Sequence, residues 1–173
     1  GEYEEKMFKS LDKVKNLDWF KEEKEKISKL IRQWKERKYN YDNMPKDGEL
    51  AIDFSYPNID GTILSLSSFE GNLVYVDVWA TWCAPCLSEL PALEKLQENY
   101  KDRKIIFLSV SVDTDKDAWV KMLSNDDLGG VQLWADGWSE ITKSYAIFGI
   151  PRFLLIDKDG SLISVDAPRP SSS

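Results

Sequence analysis

From Leu73 to Trp79 the chain reads Leu-Val-Tyr-Val-Asp-Val-Trp, apolar at nearly every position and so apolar on both faces of an extended strand. Lys104-Ile105-Ile106-Phe107-Leu108-Ser109-Val110-Ser111-Val112 repeats the pattern. Strands of this kind belong in the middle of a sheet covered on both sides. Between them a helix is expected from about Ala84 to Tyr100, kinked at Pro91, which has no N–H to give the helical ladder. Further on, Thr114 or Asp115 caps a helix running to about Leu123, Val131–Trp134 reads as a short strand, and Ser139–Tyr145 as a short helix. Arg152–Asp157 and Ser161–Val165 form a hairpin around Lys158-Asp159-Gly160. Upstream, Ala51–Phe54 and Thr62–Leu66 flank Asn58-Ile59-Asp60-Gly61, a second hairpin with a glycine turn, followed by one helical turn at Ser67–Gly71. The alternation predicts an α/β fold: a mixed sheet flanked by helices, preceded by a β-hairpin.

Residues 4–40 carry a different pattern. Charges occur nearly throughout, and apolar residues at Met7, Leu11, Val14, Phe20, Ile27, Leu30, Ile31 and Trp34 fall on a helical stripe. Asn16-Leu17-Asp18 is expected to break this arm, with Asp18 capping a second helix from Trp19. The polar, turn-rich run Asn40–Gly48 marks a boundary. Three parts result: a helical arm or the end of an upstream domain at 1–45, an α/β domain at 46–166, and a tail at 167–173. The tail, Ala167-Pro168-Arg169-Pro170 and three serines, reads as the prelude to a further helix.

Composition narrows the chemistry. Net charge is −7 over 173 residues, but residues 1–40 hold 12 basic and 9 acidic side chains, whereas 41–173 hold 11 and 21. An acidic main domain argues against nucleic acid as partner. No histidine occurs, which removes Ser-His and Cys-His hydrolase chemistry. No apolar run approaches the roughly 18–20 residues that span a bilayer, and no apolar leader follows Gly1-Glu2-Tyr3.

The two cysteines of the chain lie together in Trp82-Cys83-Ala84-Pro85-Cys86, between the first buried strand and its helix. Zinc is a poor fit, because two thiols without histidine do not supply four ligands. The spacing suits an inert disulfide or a redox-active one, and the position favours the second. At the start of a helix, unpaired backbone N–H groups and the helix dipole stabilise a Cys83 thiolate, while Cys86 sits one turn in. Asp77 is the odd residue of the first strand. Counting by twos puts it with Leu73, Tyr75 and Trp79 on an apolar face, where burial raises the proton affinity of a carboxylate.

Val76-Asp77-Val78-Trp79-Ala80-Thr81-Trp82-Cys83-Ala84-Pro85-Cys86, followed by Glu89-Leu90-Pro91, resembles the active-site segment of thioredoxin-like proteins, most closely the TlpA/ResA/DsbE group of extracytoplasmic thiol-disulfide oxidoreductases. Gly149-Ile150-Pro151 resembles the cis-proline loop of that group, and the likeness covers about 46–166. It implies a thioredoxin-like fold, no cofactor, Cys83 as nucleophile and Cys86 as resolver. Asp77 is then the proton acceptor for Cys86, and Glu89 an acid that tunes the pair. Trp82, Ile150 and Pro151 border the substrate, and Trp79 packs in the core. It also implies a protein disulfide as substrate, a membrane thiol-disulfide donor as partner, and a periplasmic address. Two other readings compete. A peroxiredoxin-type peroxidase has a related fold, but here Thr81 stands two residues before Cys83 with no proline upstream. A non-catalytic interaction module would use the basic arm and leave the thiols idle.

Overall fold

In the computed structural model, which describes residues 18–126 and 128–172, the chain divides into two units, one running to Asp42 and one from Asn43 onward. The described part of the first is one long helix, α1 (Asp18–Asn43). Ion pairs one turn apart line its exposed surface, Lys21–Asp18, Lys26–Glu23 and Lys38–Asp42, and pairs of this kind add roughly 0.2–0.5 kcal/mol each. The turn expected from Asn40 starts later. Asn40 to Asp42 contain no helix breaker and continue the helix, whereas Pro45 disfavours helical backbone at Met44. The expected break at 16–18 falls mostly outside the described residues.

The second unit runs β1 (Ser55–Pro57), β2 (Ile63–Ser65), a 3-10 turn at Leu66–Phe69, β3 (Leu73–Trp79), α2 (Ala84–Leu87), α3 (Leu90–Tyr100), β4 (Ile105–Ser111), α4 (Lys116–Asp126), β5 (Val131–Trp134), α5 (Glu140–Ser144), β6 (Arg152–Ile156) and β7 (Leu162–Ser164). Five strands form one sheet in the order β5-β4-β3-β6-β7, with β3, β4 and β5 mutually parallel and β6 and β7 antiparallel to their neighbours. The expected α/β architecture with a mixed edge is therefore present.

Strand register explains the two-sided apolar runs. Val76 lies opposite Leu108 and Val78 opposite Val110, on the face where Trp119, Leu133, Ile141, Leu154, Phe54 and Tyr56 complete the main core. Tyr75 lies opposite Phe107, on the other face, where Leu93 of α3, Phe153 and Ala167 form a smaller cluster. Tyr75 stacks on Phe153 with ring centroids 5.5 Å apart and meets Phe107 edge-on at 6.0 Å. β3 thus forms the shared wall of both cores.

Two elements differ from the sequence expectation in their limits. The first hairpin pairs Ser55–Pro57 with Ile63–Ser65, four residues later than expected on its first side. Leu50 and Ala51 are already engaged by the β6–β7 turn, through a bridge to Ser161 and a bond from Ala51 N–H to the Gly160 carbonyl. The helix expected across 84–100 is interrupted at Ser88-Glu89, one residue pair ahead of Pro91. Proline cannot return a bond to the Leu87 carbonyl, and the N–H of Glu89 closes a tighter turn onto Cys86 O at 3.0 Å.

A tyrosine joins the hairpin to the sheet layer. Tyr56 Oη accepts the Ile141 N–H at 2.9 Å and bonds Ser139 Oγ at 2.9 Å, capping α5, whose own Ser139 makes no side-chain cap. Tyr56→Phe strands the buried Ile141 N–H and is expected to cost about 1–3 kcal/mol in urea denaturation. An unchanged urea midpoint would show that water replaces the hydroxyl.

Candidate redox site

The carboxyl end of β3 delivers the cysteines. Trp79 O still accepts the Val112 N–H at 2.9 Å, after which the chain turns sharply, with Cys83 N–H bonding to Ala80 O at 3.1 Å. Pro85 sits in the first turn of α2, where a missing N–H costs the helix nothing. Cys83 and Cys86 are joined as a disulfide with Cα atoms 5.2 Å apart. Both are close to fully buried, at 4% and 3% exposure, whereas Trp82 beside them is 61% exposed.

Cys83 caps the single-turn α2, and a backbone donor of the kind expected at a helix start stands at its sulfur. The feature that faces its sulfur is local: the N–H of Cys86 points at Cys83 Sγ from 3.2 Å. A donor in this position favours a thiolate at Cys83 when the disulfide is open.

Asp77 lies on the α3 side of the sheet, between Tyr75 and Trp79, with Ser109 and Phe153 as its strand neighbours. It is buried, and its Oδ1 has no hydrogen-bond partner. Burial, and then the charge of Glu89, push its carboxyl up to about 7. The same burial, with Asp77 and Glu89 nearby, holds the Tyr75 phenol well above its ordinary range. Glu89, at the opening of α3, is buried too but well satisfied. Ser171 donates to it from its backbone N–H at 3.1 Å and from its hydroxyl at 3.0 Å, and Arg169 lies 3.8 Å away.

The Ile150–Pro151 bond is cis. With Val78 opposite Arg152 in the β3–β6 ladder, Ile150 and Pro151 arrive at the end of β3 where the cysteine turn begins. Ile150 packs against the cluster that contains both cysteines. Arg152 itself pairs with Asp166 at 2.8 Å. The fold therefore brings Asp77, Trp82, Cys83, Cys86, Glu89, Ile150 and Pro151 to one end of the sheet, with Trp79 at 1% exposure beneath them.

One residue of this region was missed in the sequence. Asp113, 1% exposed at the end of β4, accepts the Thr81 N–H at 2.9 and 3.2 Å, the Thr81 hydroxyl at 2.7 Å and the Ser111 hydroxyl at 2.7 Å. Its own carbonyl accepts Trp134 Nε1 at 2.8 Å. Asp113 therefore pins the turn that carries Cys83 to the neighbouring strand. The available signal was its place just past a buried parallel strand, the end of an α/β sheet where sites gather.

The sequence pattern of the AhpC/TSA family matches residues 48–165. The chain belongs to that family. Its second unit is similar to the thiol-disulfide oxidoreductase ResA of Bacillus thuringiensis subsp. konkukian, 31% identical over 116 residues, which is 67% of this chain and 66% of that protein. The match thus spans just under two thirds of the relative's length. A crystal structure from Bacteroides vulgatus, described as a candidate thiol-disulfide oxidoreductase, superposes with a TM-score of 0.69 at 41% identity, covering 73% of this chain and 89% of that one. The thioredoxin domain of another Bacteroides vulgatus thiol-disulfide oxidoreductase gives 0.65 at 27% identity, covering 72% and 90%. The fold is thioredoxin-like, as expected.

Two outcomes follow from the buried carboxylates. Asp113→Ala leaves one N–H and two hydroxyls without their acceptor and is expected to lower stability by about 3 kcal/mol, with Asp113→Asn costing less. Urea midpoints of the two variants check this. For Asp77, the unfolded carboxyl loses its proton near 4 while the folded one keeps it to about 7. Stability of the oxidised protein is therefore expected to fall as pH rises through that window. Asp77→Asn should flatten the fall, read as urea stability across a pH series.

Proposed function

We propose that this chain is a thiol-disulfide oxidoreductase that reduces protein disulfides through the Cys83–Cys86 pair. The observation that carries this reading is a disulfide bridging two sheltered cysteines at the carboxyl end of a central strand, with a buried carboxyl in that same strand whose Oδ1 has no hydrogen-bond partner. In the reduced protein the Cys83 thiolate, favoured by the Cys86 N–H, attacks one sulfur of a substrate disulfide. A mixed disulfide forms and one substrate thiolate leaves, taking a proton from water. Asp77 takes the proton of Cys86, whose thiolate then attacks Cys83 Sγ and releases the second substrate thiol. Two electrons have passed to the substrate, and the chain is left as the disulfide present here. A dithiol donor reverses the sequence on the protein side and restores the pair.

The roles of the surrounding residues belong to the same proposal. A carboxyl held near 7 by burial is matched to proton transfer at neutral pH, which an ordinary aspartate is not. Glu89 contributes the charge that helps keep it there. Trp82, exposed beside Cys83, together with Ile150 and Pro151, forms the border against which an extended substrate segment lies. The redox unit is 46–166, with 1–45 an appendage. The resemblance to the TlpA/ResA/DsbE group supports a periplasmic address, a membrane thiol-disulfide donor, and the reducing direction.

Trapping provides the test. Cys86→Ala, with the resolving thiol gone, is expected to accumulate a mixed disulfide through Cys83 with a disulfide-bonded protein such as insulin, while Cys83→Ser accumulates none. Absence of any adduct would sink the thiol-exchange reading, and rapid peroxide consumption by the wild type would replace it with a peroxidase. A redox titration of the pair reads direction: a potential near −120 mV, as in strong oxidants, would overturn the reductase assignment.

A further inference from the structure

Residues 167–172 run back across the α3 side of the sheet, and four contacts fix them there. The Ala167 N–H bonds the Phe153 carbonyl at 2.9 Å. Ala167 itself is buried in the cluster of Tyr75, Leu93, Phe107 and Phe153. Tyr75 Oη donates to the Pro168 carbonyl at 2.7 Å, and a turn closes from Ser172 N–H to Arg169 O at 2.9 Å. The turn delivers Ser171 to Glu89, one donor to each carboxylate oxygen, with Arg169 at the half-exposed rim.

We propose that Ser171, assisted by Arg169, is a positioning residue of the redox site: it clasps the Glu89 carboxylate and fixes where the negative charge of Glu89 stands relative to Asp77. The inference rests on the reading of Asp77 and Glu89 given above and adds to it a segment that lies outside the AhpC/TSA match at 48–165.

The physical argument is one of unequal partners. Glu89 and Asp77 are both buried acids on the same side of β3, and the charge of one disfavours the charge of the other. The groups set around them are the phenol of Tyr75 and the Arg169 guanidinium, while Arg152 of β6, in register with Val78 on the other face, is paired with Asp166. Ionisation of Asp77 is opposed first by its own burial and then by the charge of Glu89, and the two differ in their hydrogen-bond donors. Glu89 has the donors, and they come from Ser171. Asp77 Oδ1 has none. The clasp therefore sets how strongly the Glu89 charge opposes ionisation of Asp77, on top of the burial that comes first.

The experiment follows the rate at which the reduced protein reacts with oxidised glutathione, by tryptophan fluorescence, across pH. The limb of the profile that Asp77→Asn removes is the one to measure. Glu89→Gln is expected to move its midpoint down, because a charge opposing Asp77 ionisation is gone. Ser171→Ala takes a donor dipole away while Glu89 keeps its charge, and is expected to move the midpoint up. In the Glu89→Gln background Ser171→Ala should no longer move it. Arg169→Gln should act in the same upward direction, and less so at high salt. If Glu89→Gln leaves the midpoint where it was, the assignment of Glu89 itself is wrong. If Glu89→Gln shifts it but Ser171→Ala shifts nothing, shifts it down, or acts equally in both backgrounds, the clasp alone is overturned.

Discussion

A carboxylate placed in the central strand of a sheet covered on both faces has to be kept near neutral or be given a counter-charge, and this domain does the former. Among the described residues no cation pairs with Asp77. Its neighbours across the sheet are Ser109 and Phe153, the charge that bears on it is the like charge of Glu89, and one of its oxygens is bare of any partner. Desolvation alone costs a buried charge several kcal/mol, so the proton stays on well past the pH at which an exposed aspartate loses it. The layout around β3 follows from this. Small or apolar residues flank Asp77, the satisfied acid is set at the opening of α3, and the strand ends in the turn that holds the reactive sulfurs.

The two other buried acids of the site obey the opposite rule, and the contrast separates structural from chemical roles. Asp113 accepts from Thr81 and Ser111, and Glu89 from Ser171, so each is spent in holding a turn or a segment in place. An acid with both oxygens hydrogen-bonded is held in place by its partners. Asp77, with Oδ1 bare, is the one to which the proposed mechanism gives the proton transfer. Three carboxylates in one small region therefore need not compete, because their hydrogen-bond partners have already assigned the work.

How much of this was legible in the chain depends on the range over which each feature is determined. β3 and β4 could be read because two-sided burial leaves a nearly continuous apolar run, and Asp77 stood out because it interrupts such a run at a position with known facing. Pro91 signalled the helix interruption but misplaced it, since the tighter turn closes at Glu89, ahead of the proline. Asp113 could not be singled out: it opens Asp113-Thr114-Asp115-Lys116-Asp117, where every acid looks like a loop residue or a helix cap. Asp115 does cap α4, through Ala118 N–H at 3.0 Å, while Asp113, two residues earlier, is buried. Only the pairing of β4 with β3 separates them. Ser171 was hidden for a similar reason, since its partner lies 82 residues away and a proline-serine tail reads locally as the approach to a helix.

Closing the disulfide makes the site electrically quiet, and opening it does not. In the oxidised chain the sulfurs at Cys83 and Cys86 are neutral and sheltered, so a buried neutral Asp77 sits in a consistent environment. Reduction places two thiols in the same dry space, and each becomes useful only by losing a proton into surroundings that disfavour charge. The Cys86 N–H donates to the Cys83 sulfur. Among the described residues no comparable hydrogen bond reaches the Cys86 sulfur, and the proposed mechanism therefore couples its deprotonation to a base that is itself buried. The burial that makes Asp77 costly to the fold is thus the same burial that matches its proton affinity to a thiol, and relieving one would forfeit the other.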